Sequence, residues 1–161
     1  MLRTRSVVAA AAAAAAGLLL LPSPAQAAGL LLLPSPAQAA GSVHVYKIYY
    51  DSPGSDTRSN TSLNGEYVQI RNTTSAAVSL KGWTVTDASN HKYTFGTFTL
   101  GKGKTVTIRT GRGTNTSATL YQGRGAYVWN NDRDTATLRT SSGRWVDNCS
   151  YNSTRVDYTM C

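Results

Sequence analysis

The chain has 161 residues and carries 16 Lys and Arg against 8 Asp and Glu, a formal net charge of +8 that favours anionic partners. Its 2 cysteines, Cys149 and Cys161, have neither of its 2 histidines, His44 and His91, near them in sequence, so no Cys/His metal site is read. Its N-terminal apolar run, Val7 to Leu21, is 15 residues long, short of the roughly 18 that read as a membrane helix.

That run follows Arg3 and Arg5 and is stopped by Pro22, with Ala25-Gln26-Ala27 just beyond. A basic start, a short greasy middle and a small-x-small site predict a secretory signal peptide. The segment GLLLLPSPAQAA at 17–28 recurs identically at 29–40 and creates a second site, Ala37-Gln38-Ala39. It is too short for a structural repeat. Cleavage is expected after Ala27, which fits ordinary signal length, or after Ala39, which removes a sticky Leu30–Leu33 tail. Residues 1–39 are thus assigned to export, and the product is expected to be secreted and extracellular, with no stable membrane anchor. Losing Arg3 and Arg5 leaves 14 Lys and Arg against 8 acids, a net charge of +6.

Residues 42–161 suit one domain with one core. Ser42 to Tyr50 reads as a first strand, and Asp51 to Gly65 as a polar loop turning at Pro53-Gly54. Glu66 to Arg71 alternates strictly, with Val68 and Ile70 on one face and Gln69 and Arg71 on the other. Alternation resumes through Val78 and Leu80, then Trp83 and Val85, then Tyr93 and Phe95. Gly101-Lys102-Gly103 reads as a hairpin turn into Lys104–Arg109, and Thr110 to Thr119 as an exposed loop. Ala126–Trp129, Thr135–Arg139 and Arg144–Asp147 complete about eight short strands. With no helical period after the signal, these predict an all-β sandwich of antiparallel strands. Trp83, on a middle strand, is expected to anchor its core. Cys149 and Cys161, the only cysteines of an exported chain, are expected to pair and pin the tail to the last strand.

Tyr50-Asp51-Ser52-Pro53-Gly54, Leu63-Asn64-Gly65-Glu66-Tyr67-Val68, Leu80-Lys81-Gly82-Trp83-Thr84-Val85-Thr86-Asp87 and Tyr93-Thr94-Phe95 recur in this order. The loop Thr110-Gly111-Arg112-Gly113, then Trp129-Asn130-Asn131 and Asp134-Thr135-Ala136, complete the set. Together they resemble a bacterial lamin tail domain from about Val43 to Tyr151. The resemblance implies an immunoglobulin-like, generally non-catalytic module. Nuclear relatives contact proteins and DNA, and bacterial ones sit in secreted or surface proteins.

The chemistry offered by the residues is sparse. Asp51, Asp56, Asn60, Asn64 and Glu66 are oxygen ligands of the kind Ca²⁺ takes, but Asx turns explain them better. Asn130, Asn131, Asp132 and Asp134 read as a turn on the same grounds. Thr110–Asn115 looks like a phosphate cradle but has no helix behind it. Neither His44 nor His91 has a nucleophile placed for a triad, so no catalytic residue, metal or cofactor is assigned. Lys102, Lys104, Arg109, Arg112 and Arg124 are expected to form a cationic patch where loops meet, with Tyr121 and Tyr127 beside it. The function expected is a binding module for an extracellular anionic polymer, nucleic acid or wall polymer. The alternatives are an adhesion component working by protein contacts and, less favoured, a small metal-dependent hydrolase.

Overall fold

The computed structural model describes residues 41–161. The expected export segment, residues 1–39 with its cleavage points after Ala27 and Ala39, lies outside the described residues. The strands run in order β1 (Val43–Tyr49), β2 (Tyr67–Asn72), β3 (Val78–Ser79), β4 (Thr84–Thr86), β5 (Lys92–Thr94), β6 (Thr99–Leu100), β7 (Thr105–Arg109), β8 (Thr119–Tyr121), β9 (Arg133–Arg139), β10 (Trp145–Asn152) and β11 (Tyr158–Met160). One helical turn, α1 (Asn60–Leu63), stands between β1 and β2. Among the described residues no helix is long and apolar enough to cross a membrane.

The all-β sandwich expected from the sequence is what forms. One layer has five strands in the order β11-β1-β2-β7-β8, and the other has four, β10-β9-β4-β5. A two-stranded ribbon, β3-β6, joins them. Every pairing is antiparallel except β7 with β8, which is parallel. Alternation decides which side chains face in: Val68 and Ile70 of β2 and Val106 and Ile108 of β7 are fully buried, opposite Val85, Ala136 and Leu138 of the other layer. In β1 the alternation slips after Val45, because a β-bulge between Val45 and Lys47 absorbs Tyr46 and returns Ile48 to the core. A second bulge, between Trp145 and Asp147 of β10, sits opposite it, and the Asp147 carboxylate accepts the Val45 N–H at 2.8 Å.

Five local expectations are corrected. Gly101–Gly103 is a turn, with Gly103 at φ +69°, but not a hairpin: it carries the chain from the β3-β6 ribbon into the five-stranded layer. Buried Asn72 fixes that crossing, its amide donating to the carbonyls of Leu100 (2.9 Å) and Ala76 (2.8 Å). Ala126–Trp129 is not a strand. Its Val128 N–H is given to a side chain, Glu66, instead of a neighbouring strand. The expected loop Thr110–Thr119 runs into β8, and the supposed tail becomes β11, paired with β1 from Lys47↔Met160 to Tyr49↔Tyr158. Finally, Trp83 is not the core anchor. It precedes β4 and packs, partly exposed, at the margin of the core. There it lines a cavity of about 330 Å³ with Val78 and Val146. The largest buried side chain is Trp129, 2 % exposed.

Cys149 and Cys161 form the expected disulfide, with Cα atoms 5.8 Å apart. Because β10 and β11 belong to different layers, the bond clamps the two layers together. Closing a loop of this size contributes about 2–3 kcal/mol in the chain-entropy model.

Candidate binding face

The outward positions of the five-stranded layer are set by the same alternation that fills the core. Registers align Tyr158, Tyr49, Tyr67, Arg109 and Tyr121 as one row across all five strands. The rings of Tyr49 and Tyr67 stack at 5.2 Å and 20°, and those of Tyr49 and Tyr158 at 6.0 Å and 14°. Planes parallel at strand spacing mean that the rings stand on edge, each covering its neighbour's face. Cations complete the packing. The Lys47 ammonium lies 3.9 Å from the Tyr158 centroid, the Arg109 guanidinium 5.4 Å from that of Tyr67, and the Arg71 guanidinium 4.9 Å from that of Tyr46.

The five strands of this layer carry Lys47, Arg71 and Arg109 and no Asp or Glu. The acids nearest the row gather at its β11 corner. There Asp157 accepts the Tyr49 hydroxyl at 3.3 Å, and Asn131 donates to both Asp51 (3.2 Å) and Asp56 (3.1 Å). Burial, with Asp157 and Asp56 nearby, pushes the Asp51 carboxyl above its ordinary value. The layer is therefore graded, acidic at one corner and cationic across β2 and β7.

The five basic residues expected to form one patch lie on separate segments. Lys102 and Lys104 lie at the start of β7 and Arg109 at its end; the five residue steps from Lys104 to Arg109 span about 16 Å. Arg124 is tied to Thr110 by its backbone, but its side chain reaches toward the other layer. The Arg124 N–H donates to the Thr110 carbonyl at 2.9 Å, and its guanidinium to the Lys92 carbonyl at 3.0 Å. The Arg112 backbone is clasped from both sides: its carbonyl accepts from the amides of Asn60 (3.0 Å) and Asn64 (2.9 Å), and its N–H donates to Asn60 Oδ1 (2.7 Å). The clasp needs a glycine beside it, since a Cβ on Gly111 would fall 2.6 Å from Asn64 Oδ1. The Arg109 guanidinium donates to the Asn64 carbonyl. Tyr127 stands apart from the row, its hydroxyl 2.5 Å from Ser62 Oγ.

Between the 53–65 loop and the β7–β8 end of the row lies a cavity of about 750 Å³. Its walls are hydroxyl and amide side chains, including Ser55, Thr57, Asn60 and Asn64, with Arg109 and the Tyr121 ring on the sheet side. Behind this corner Glu66 is fully buried. Its Oε1 accepts the Thr110 hydroxyl at 2.5 Å and the Val128 N–H at 2.8 Å. Burial pushes its carboxyl up to about 7, against the lowering effect of those bonds. Glu66 is thus a brace tying β2 to the loops that shape the cavity, not a surface ligand. Asp134 is also a brace, accepting from the N–H groups of Ala88 (2.9 Å), Asn130 (3.2 Å) and Thr135 (2.7 Å).

Lys47, Arg71, Tyr49, Tyr67 and Tyr158 were not among the residues expected to form a site. The signal for Tyr67 and Arg71 was present: once Val68 and Ile70 face inward, their neighbours face out together. Tyr158 carried none, because its strand was not legible.

A family model described as Lamin Tail Domain matches residues 36–153. No curated protein matches the chain significantly. The family is an immunoglobulin-like, non-catalytic domain family, and the paired layers agree with that architecture. Strand β11 and Cys161 lie beyond the matched span, so the fifth strand of the row is an addition to it. With the match covering most of its length, the chain belongs to the lamin tail domain family.

Proposed function

We propose that this domain is a secreted, non-catalytic module that holds an extracellular anionic polymer, a nucleic acid or a wall polymer, on the outer face of its five-stranded layer. One observation carries the reading. All charge on the strands of that layer is positive, in Lys47, Arg71 and Arg109, while the 8 acids of the chain lie outside those strands. Such a face attracts a polyanion through its summed field, and the attraction weakens as salt screens it.

The expected result is retention on immobilised polygalacturonate or single-stranded DNA that falls with added salt. The double variant Lys47→Ala/Arg71→Ala loses most of it at about 0.15 M salt, where the screening length is near 8 Å. Arg139→Ala/Arg144→Ala, on the four-stranded layer and its β9–β10 turn, changes it little. Equal losses from both pairs would show that net charge alone, and not this face, does the binding. A second reading rests on β11, an edge strand with Tyr158 and Met160 exposed beside Val156. That edge suits a protein partner, and retention of such a partner unaffected by salt would favour adhesion instead.

A further inference from the structure

The cavity at the β7–β8 end differs from the rest of the cationic face in being concave and almost uncharged. Arg109 is the single charged side chain among its lining residues, and no carboxylate lines it. Around it stand neutral hydroxyls and amides, and one aromatic ring, that of Tyr121. Hydroxyl and amide walls match a ligand rich in hydroxyl groups. A planar guanidinium matches one carboxylate with two parallel bonds. We propose, as a deepening of the anionic-polymer reading and resting on it, that this cavity takes one carboxylate-bearing sugar unit of an acidic polysaccharide. Arg109 receives the carboxylate, the Ser55, Thr57 and Thr61 hydroxyls meet sugar hydroxyls, and Tyr121 supplies an apolar wall.

The geometry of the row favours a glycan over a nucleic acid. Single strands of nucleic acid are held by stacking bases on free aromatic faces. Here the faces of the two central rings are taken. Tyr49 is covered by Tyr67 and Tyr158, and Tyr67 by Tyr49 and the Arg109 guanidinium. Gly113 lies against Tyr121, where even a Cβ would come within 2.3 Å of the ring. What the row offers instead is ring edges, hydroxyls and cations, spread over four strand spacings of about 4.8 Å each. A sugar chain leaving the cavity along the row needs no free ring face.

The test is calorimetric titration of the secreted domain with oligogalacturonate, a neutral maltooligosaccharide of the same length, and a thymidine oligonucleotide. Oligogalacturonate should bind at least tenfold more tightly than either of the others. Arg109→Gln should cost at least tenfold in that affinity. Thr57→Trp, an exposed loop change that fills the cavity without altering charge, should cost as much while leaving the melting temperature in place. If Thr57→Trp binds oligogalacturonate like the parent, the cavity is not the site. If the oligonucleotide binds more tightly, the glycan assignment is wrong while the polyanion reading survives. If no anionic ligand binds, both fall together.

Discussion

Raising the pH from about 4.5 to about 7 should destabilise the domain by about 3 kcal/mol through Glu66 alone, at 1.36 kcal/mol per unit of pKa shift. The sign follows from the direction of the shift. The folded carboxyl titrates at about 7 and the unfolded one near its ordinary value of 4.5, so between those values the native state holds the extra proton. Its contribution is fully present below pH 4.5, is lost as pH rises through 7, and is constant above. Glu66→Gln removes this dependence. It keeps an oxygen for the Thr110 hydroxyl and the Val128 N–H, and it places an amide where Oε2 is buried without a partner. The other seven Asp and Glu of the chain are common to parent and variant. The decisive quantity is therefore the difference between parent and variant in urea unfolding across pH 4–9. That difference should change in the variant's favour as pH rises to 7 and then level off. Parallel profiles would mean that Glu66 is not held protonated by its burial.

Trp129→Ala should cost about 3–5 kcal/mol, the range for emptying a fully buried large aromatic site. Trp83→Ala should cost a fraction of that, because the indole at the core margin already meets solvent. Trp129→Phe should recover much of the loss. The Trp129 indole N–H is buried with no partner, so removing it takes away no hydrogen bond. Thermal or urea unfolding of the three variants checks the ranking, and a larger loss at Trp83 than at Trp129 would overturn this assignment of the core.

The choice of the wrong tryptophan shows where sequence patterning stops. Trp83 sits in a regular alternation with Val85, and that pattern is strong evidence for a strand. Trp129 sits in an irregular segment whose backbone is satisfied by the Glu66 side chain, a contact between residues 62 apart that no local pattern announces. The same limit explains the missed strands. β8 has three residues and pairs in parallel with β7, and β11 has three and is held by the distant Cys149 and by β1. The inner faces of β2, β7 and β9 were legible because burial imposes their period of two. The cationic row was not legible. Proximity in sequence grouped Lys104 with Arg109, but an extended strand separates its own ends, and register instead brings Arg109 beside Tyr67 and Tyr121. The β-bulge at Tyr46 likewise decides which of Tyr46, Lys47 and Tyr49 share a face, and no single residue type marks it.

Backbone amide shifts of the isotope-labelled domain, followed during titration with oligogalacturonate, test the binding face most directly. They should move along β2, β7 and β8 and in the Asn60–Asn64 turn, with Arg109 and Tyr121 among the largest changes. Shifts centred on the Lys102–Lys104 turn, or on the outer face of β4 and β9, would contradict it.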